Sequence, residues 1–252
     1  MLFADQSWPT LQQLPRTTPV VIPIAAIEQH GHHLPVATDS LLLAEIIRRV
    51  EISMSERVLI APLQWMGNSD HHLDFGGTLS APPRVYLDML HGVVENFVSA
   101  GFTRIALING HGGNDVPAKQ ALFEIRQKHR YRMDLLLAMT TYWSLGTEPW
   151  LEDPNISQRE MGHACEWETS MILAIHPHLV GDYRSTTPVE PGNPFRPGFR
   201  AWITKDRSQP GHIGWPHLAS AEKGNVLFKG FAKDVASWLD RIANWDGTSW
   251  DG

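Results

Sequence analysis

The feature that most constrains this chain is a repeated unit: a short apolar run, a polar loop rich in glycine and histidine, then a helical pattern. The apolar runs are residues 19–27 (PVVIPIAAI), 58–63 (VLIAPL), 104–109 (RIALIN) and 134–141 (DLLLAMTT). Apolar runs of this length without polar alternation are the mark of strands covered on both faces, as in parallel sheets. Residues 39–50 (DSLLLAEIIRRV) carry apolar side chains at helical spacing, with Thr38, Asp39 or Ser40 available as N-cap. Residues 84–100 form the clearest helix, with a stripe of Val85, Leu87, Leu90, Val94, Phe97 and Val98 and with Gly101 just past its end. Residues 116–129, 160–175 and 221–244 read as three further helices. A repeated strand–loop–helix order implies right-handed crossovers, hence an α/β fold with a mainly parallel central sheet. No internal repeat or linker divides the 252 residues, so residues 1–252 are read as a single domain. Residues 181–215, rich in Pro and Gly but not of low complexity, read as an ordered excursion.

Composition closes off several functions. With 21 Lys+Arg against 27 Asp+Glu the formal charge is −6, which leaves no basic footprint for nucleic acid. The N-terminal residues lack the basic-then-apolar order of a secretory signal, and the apolar runs are too short to span a bilayer. A cytoplasmic enzyme with no membrane partner is the expectation. The single cysteine, Cys165, excludes both an internal disulfide framework and a cysteine-based zinc finger.

Thirteen histidines are the odd entry in that composition, and three of the four strand-end loops carry metal-ligand chemistry. The first loop is Glu28-Gln29-His30-Gly31-His32-His33, followed by Asp39; the second holds Ser69, Asp70, His71, His72 and Asp74; the third is Asn109-Gly110-His111-Gly112-Gly113-Asn114. In open α/β sheets ligands bind outside the carboxyl ends of the strands, so the three loops converge. In extended chain residues i and i+2 face one side, so Glu28 and His30 share a pocket, and Asp39 reaches back from the next helix. A carboxylate can bridge two cations, which dinuclear hydrolases hold about 3.5–4 Å apart, and imidazole with carboxylate suits Zn²⁺ or Mn²⁺.

Plainer roles compete with this one. Asp39 alone is more often an N-cap than a ligand, and a lone loop histidine is more often solvated. His71, His91, His129, His176, His178, His212 and His217 are left with that plain role, while His32, His33 and His72 are placed close behind the ligands. The Gly-His-Gly-Gly loop lacks the spacing of a phosphate-binding loop. The joint occurrence of Glu-x-His, a downstream Asp and a second strand-end His favours metal.

These residues also resemble the creatininase (creatinine amidohydrolase) family. Glu28-Gln29-His30-Gly31-His32-His33 with Asp39 resembles its N-terminal metal motif, and Asn109-Gly110-His111-Gly112-Gly113-Asn114 its second. His163-Ala164-Cys165-Glu166-Trp167-Glu168-Thr169-Ser170 is similar to its third. His72 with Phe75-Gly76-Gly77-Thr78, and Ala219-Ser220-Ala221-Glu222-Lys223-Gly224, resemble two more. The similarity is collinear from about residue 18 to 245.

The resemblance implies a three-layer α/β/α fold, two divalent ions per chain (Zn and/or Mn, with Fe possible) and a homohexamer. By position, Glu28 and His111 would hold one metal, His30 the other, and Asp39 would bridge them. His163 would be catalytic or substrate-binding, and Ser69, Gly112, Trp143 and Arg159 would face substrate. Two departures stand out. Gly113 replaces a metal-binding Glu of creatininase proper, and Glu168 is preferred over Glu166 to supply the missing ligand, leaving Glu166 as an acid/base group. Arg159 stands where creatininase has a substrate-covering tryptophan, which weakens the case for creatinine. Arg159 and Arg196 could serve an anionic or polyol substrate. The expected activity is hydrolysis, by metal-activated water, of a C–N bond in a small cyclic amide or formamide. The alternatives are creatinine hydrolysis itself, C–C hydrolysis of an oxidised cyclitol, and a non-catalytic metal-binding protein.

Overall fold

In the computed structural model, which describes residues 1–192, 195 and 197–250, the first apolar run forms strand β1 (Val20–Ile24), buried at all five positions. It pairs in parallel with β2 (Leu59–Ile60) on one side and β3 (Arg104–Asn109) on the other, and β3 pairs in parallel with β4 (Leu136–Thr141). The sheet order is β2-β1-β3-β4. The helices are α1 (Trp8–Gln13), α2 (Thr38–Met54), α3 (Pro83–Ser99), α4 (Asp115–Lys128), α5 (Pro149–Glu152), α6 (Glu166–Ile175), α7 (Thr204–Arg207) and α8 (Ala221–Ala243).

Alternation along the strands builds three layers. Val20, Ile22 and Ile24 of β1 and Ile105 and Leu107 of β3 pack with Tyr86, Leu90 and Val94 of α3 and Ala118 and Leu122 of α4. Val21, Ala106 and Ile108 face the other way, against Leu43 and Ile46 of α2, Met171 of α6 and Phe228 and Phe231 of α8. Each of these large side chains contributes about 1.5–3 kcal/mol when fully buried. Among the described residues no helix is long and apolar enough to cross a membrane.

Four local expectations change. The buried face of α3 is Tyr86, Leu90, Val94 and Val98, one residue round from the expected stripe, and Val85 is exposed. The second apolar run keeps only two residues in the sheet. The N-cap of α2 is Ala37 and makes no side-chain cap; the Thr38 hydroxyl donates to the Pro35 carbonyl and that of Ser40 to the Ala26 carbonyl. Finally, α6 starts at Glu166 rather than near residue 160. His163 exchanges two backbone hydrogen bonds with Ile213, and Ala164 takes a left-handed φ of 48°, so no helix can pass through them.

Candidate metal centre

The polar loops leave the sheet at one end, as expected of a parallel sheet. After β1, Gly31 turns the chain at φ 64°, and its N–H donates to Oε1 of Gln29 (2.9 Å). Glu28 and His30 therefore face the same side, and Asp39 arrives in the first turn of α2. After β3, the Asn109 side chain clamps the third loop: Oδ1 accepts from the His111 N–H and Nδ2 donates to the His111 carbonyl and to Thr141. Glu168, in the first turn of α6, uses one oxygen to accept from the Cys165 N–H (3.3 Å) and turns the other toward His30.

These groups meet in one buried cluster. Asp39 lies between two imidazoles, with Oδ1 3.1 Å from His30 Nε2 and Oδ2 3.0 Å from His111 Nδ1. Glu28 Oε2 is 3.2 Å from His111 Nε2, and Glu168 Oε1 is 3.5 Å from His30 Nε2. On its other oxygen Glu28 meets His72 Nε2 at 3.3 Å and His163 Nδ1 at 3.5 Å. Ligand-type atoms fall within 4.8 Å of one another in four sets: Glu28–His30–Asp39, Glu28–His71–His111, Glu28–His72–His163 and His30–His163–Glu168.

Two features fit this cluster to cations. Glu28 Oε2 and Asp39 Oδ2 are buried and have no hydrogen-bond partner, although each lies close to an imidazole nitrogen. An ionised oxygen left so would be costly, and a bound cation removes the cost. The donor set, imidazole nitrogen with carboxylate oxygen, is that of zinc and manganese sites.

The electrostatics show the same need for positive charge. Burial raises the Glu28 carboxyl above its usual range, with His111 pulling the other way. For His111, burial lowers the affinity for a proton, but Glu28 and Asp39 outweigh it and carry the imidazole up to about 10. His30 is likewise raised well above its ordinary value, Asp39 overcoming burial, and Asp39 itself is lowered by His30 and His111 against burial. His163 and His72 go the other way, held neutral by burial and by the neighbouring histidines. Burial and His111 hold His71 down at about 4.

The structure thus brings together Glu28, His30, Asp39, His111, His163 and Glu168, with the Ser69 hydroxyl 3.2 Å from His111 Nε2. Gly112 lies exposed beside His111, with open space where a side chain would be. Glu166 lies outside the cluster: it accepts from Lys223 Nζ at 2.6 Å and from the backbone N–H of Ser157 and Gln158. Trp143 and Arg159 line a separate cavity of about 450 Å³ with Trp150, Met161 and Trp167, and the Arg159 guanidinium stands 5.0 Å from the centre of the Trp150 ring. Arg196 lies outside the described residues.

Three residues gain partners that spacing alone did not assign. His71 is half-buried, with its ring stacked on His111 (centroids 5.7 Å, planes 13° apart). His212 is buried against His33 and bonded to the Thr187 carbonyl. Gln29 is the junction of the first loop with the rest. Its Nε2 lies 2.7 Å from His72 Nδ1, 3.0 Å from His163 Nε2 and 3.0 Å from the Gly211 carbonyl. Gln29 itself is buried, and its amide enters a polar site shared with His72 and His163.

Known proteins resemble this chain in sequence and in fold. The model of the creatininase family, described as creatinine amidohydrolase, matches residues 4–239. A mycofactocin precursor peptide peptidase from Mycobacterium ulcerans is 30% identical over 245 residues, covering 94% of this chain and 89% of that protein. The creatinine amidohydrolase of Pseudomonas putida is 26% identical over 239 residues, covering 86% of each. Among solved structures, a Zn–Zn form of a creatininase point mutant superposes with a TM-score of 0.81 at 23% identity, over 97% of this chain and 98% of that one. A manganese creatininase gives 0.81 at 22% identity, over 97% and 99%. These likenesses establish a shared fold.

Proposed function

The chain belongs to the creatininase family of hydrolases, and on that premise we propose that it hydrolyses a C–N bond in a small cyclic amide or formamide with two divalent ions at the buried cluster. The observation that carries this reading is the pair of orphaned buried oxygens, Glu28 Oε2 and Asp39 Oδ2, which lie against the two nitrogens of the His111 imidazole. Glu28 and His111 would hold one ion, His30 and Glu168 the other, and Asp39 would lie between them. Zinc or manganese there supplies Lewis acidity, which activates water and polarises a carbonyl.

The protein's own groups do the rest. His163, its proton affinity lowered by burial and by the neighbouring histidines, stands over the cluster with its ring 4.3 Å from that of His30, and is fixed by a 2.7 Å contact between its Nε2 and the Gln29 carbonyl. A neutral imidazole in that place can take a proton from the attacking water and deliver it to the leaving nitrogen. Ser69 can hold a polar substrate atom next to His111. Arg159 and Trp143 would serve only a substrate long enough to reach the separate cavity they line. Glu166, tied to Lys223, has no free oxygen with which to serve as acid or base, so the proton role falls to His163 alone.

Metal analysis of protein purified without chelator tests the centre, with close to two transition-metal ions per chain expected. A product assay over cyclic amides, formamides, creatinine, oxidised cyclitols and short peptides then tests the bond class. Activity that survives removal of all metal, or fewer than one ion per chain, refutes the proposal.

A further inference from the structure

We infer that His71 is a metal ligand, completing the coordination of the ion held by Glu28 and His111. This rests on the metal-dependent reading above and adds a residue to it. The third loop offers nothing more to that ion after His111: Gly112 and Gly113 have no side chain, and the Asn114 amide is engaged with the Asn68 N–H and the Ala25 carbonyl. The structure shows why glycine stands at position 113. A Cβ at position 113 would lie 2.5 Å from His111 Nε2 and 2.9 Å from His71 Cε1, and would collide with the Asn68 carbonyl. The space that a longer residue would need is occupied by the His71 imidazole, which comes from the second loop.

The ring is placed as a ligand would be. One ligand-type atom from each of Glu28, His71 and His111 falls within 4.8 Å of the other two. Atoms bound to one tetrahedral zinc at about 2.0–2.1 Å stand about 3.3 Å apart, so the three would draw together by at most about 1.5 Å around an ion. His71 is held in this orientation by rings on three sides: His111, His72 (centroids 4.2 Å) and, edge-on, Trp202 (5.1 Å). Among the described residues neither nitrogen of its ring has a hydrogen-bond partner. The neighbouring His72 differs in this respect. Its Nδ1 meets Gln29 and Thr204 Oγ1 (2.9 Å), which commits it to holding the loop. His71 thus combines a half-buried imidazole, no competing bond and a buried carboxylate within reach.

With His71 added, one ion would have three ligands of its own and the other two, beside the shared Asp39. One has Glu28, His71 and His111; the other has His30 and Glu168; Asp39 lies between them.

X-ray absorption at the zinc edge, with a crystal structure of the zinc-loaded enzyme, tests the assignment on the unaltered protein. The expected result is a His71 nitrogen at about 2.0–2.1 Å from one of two ions. H71A, measured in parallel, should lose one imidazole from the metal shell, and a zinc titration of that variant should show one of its two affinities lowered by at least about tenfold. Two bound ions with His71 beyond bonding distance, or an unchanged imidazole count in H71A, overturns the role of His71 and leaves the metal centre intact. Absence of ions from the zinc-loaded crystal overturns both.

Discussion

The Lys223 ammonium lies 2.6 Å from Glu166 Oε1, with the carboxylate buried and the ammonium nearly so, and it joins the first turn of α8 to that of α6. K223M should therefore destabilise the fold by about 3–5 kcal/mol, because it leaves a buried carboxylate without its counter-charge. The double variant E166Q/K223M should recover part of that loss. Thermal unfolding of the metal-loaded proteins reads both. A K223M protein as stable as the parent would show that Glu166 is not bound to this ion pair.

Glu168, two residues on, should behave differently. E168Q keeps its shape and its contact with Cys165 but loses the charge facing His30. Bound metal should fall from about two ions to about one, with activity falling in step; elemental analysis separates this from simple unfolding. If E168Q retains both ions, the ligand on the His30 side must come from elsewhere.

His163 should be separable from the ligands. H163A is expected to lower kcat by about 10²- to 10⁴-fold while metal content stays near that of the parent. Loss of an ion in H163A would make this histidine a ligand and refute its role as the proton carrier.

Proton release should accompany metal binding. Without metal, His30 and His111 are raised above their ordinary values, His111 to about 10, so both carry protons at neutral pH. An incoming ion must displace those protons, and its affinity should rise between about pH 6 and 8. Calorimetry in buffers of different ionisation enthalpy measures the protons released. The same shifts set the sign for the metal-free fold: the stability from charging these two histidines is complete below the usual imidazole range and is lost as pH rises through their raised values, about 10 for His111. A metal affinity independent of pH would contradict both expectations.

Helix packing behind the site offers a further handle. A Cβ on Gly224 would run into the Ser170 carbonyl of α6 and lie 2.9 Å from the Ala174 Cβ. G224A should push α8 off α6, cost about 1–3 kcal/mol, and weaken metal binding through the displaced Glu168. Unfolding and metal titration of this one variant check both effects.

The sheet was legible because its strands are covered on both faces, so 104–109 reads as apolar from end to end and forms β3 over the same six residues. The start of α6 was not, since helical spacing over 160–175 gives no hint that His163 would pair with Ile213, about fifty residues away, or that Ala164 would turn left-handed. The cluster itself was legible from strand-end placement, which brings Glu28, His30, Asp39 and His111 together whatever their separation. The residues that escaped, Gln29, His71 and His212, owe their surroundings to the irregular segments after β2 and before α8, whose course no periodicity records.

Glu28 and Glu168 meet at the same buried cluster although 140 positions (168 − 28) separate them in sequence, and the unfolded chain cannot hold them together at the proposed metal centre. Chelation and folding are therefore thermodynamically linked. At a free ion concentration 100 times its dissociation constant, one bound ion adds about 2.7 kcal/mol to the free energy of unfolding. Scarcity of metal would thus be felt as fragility before it was felt as lost turnover, with the ion-depleted chain more open to proteolysis than the loaded one.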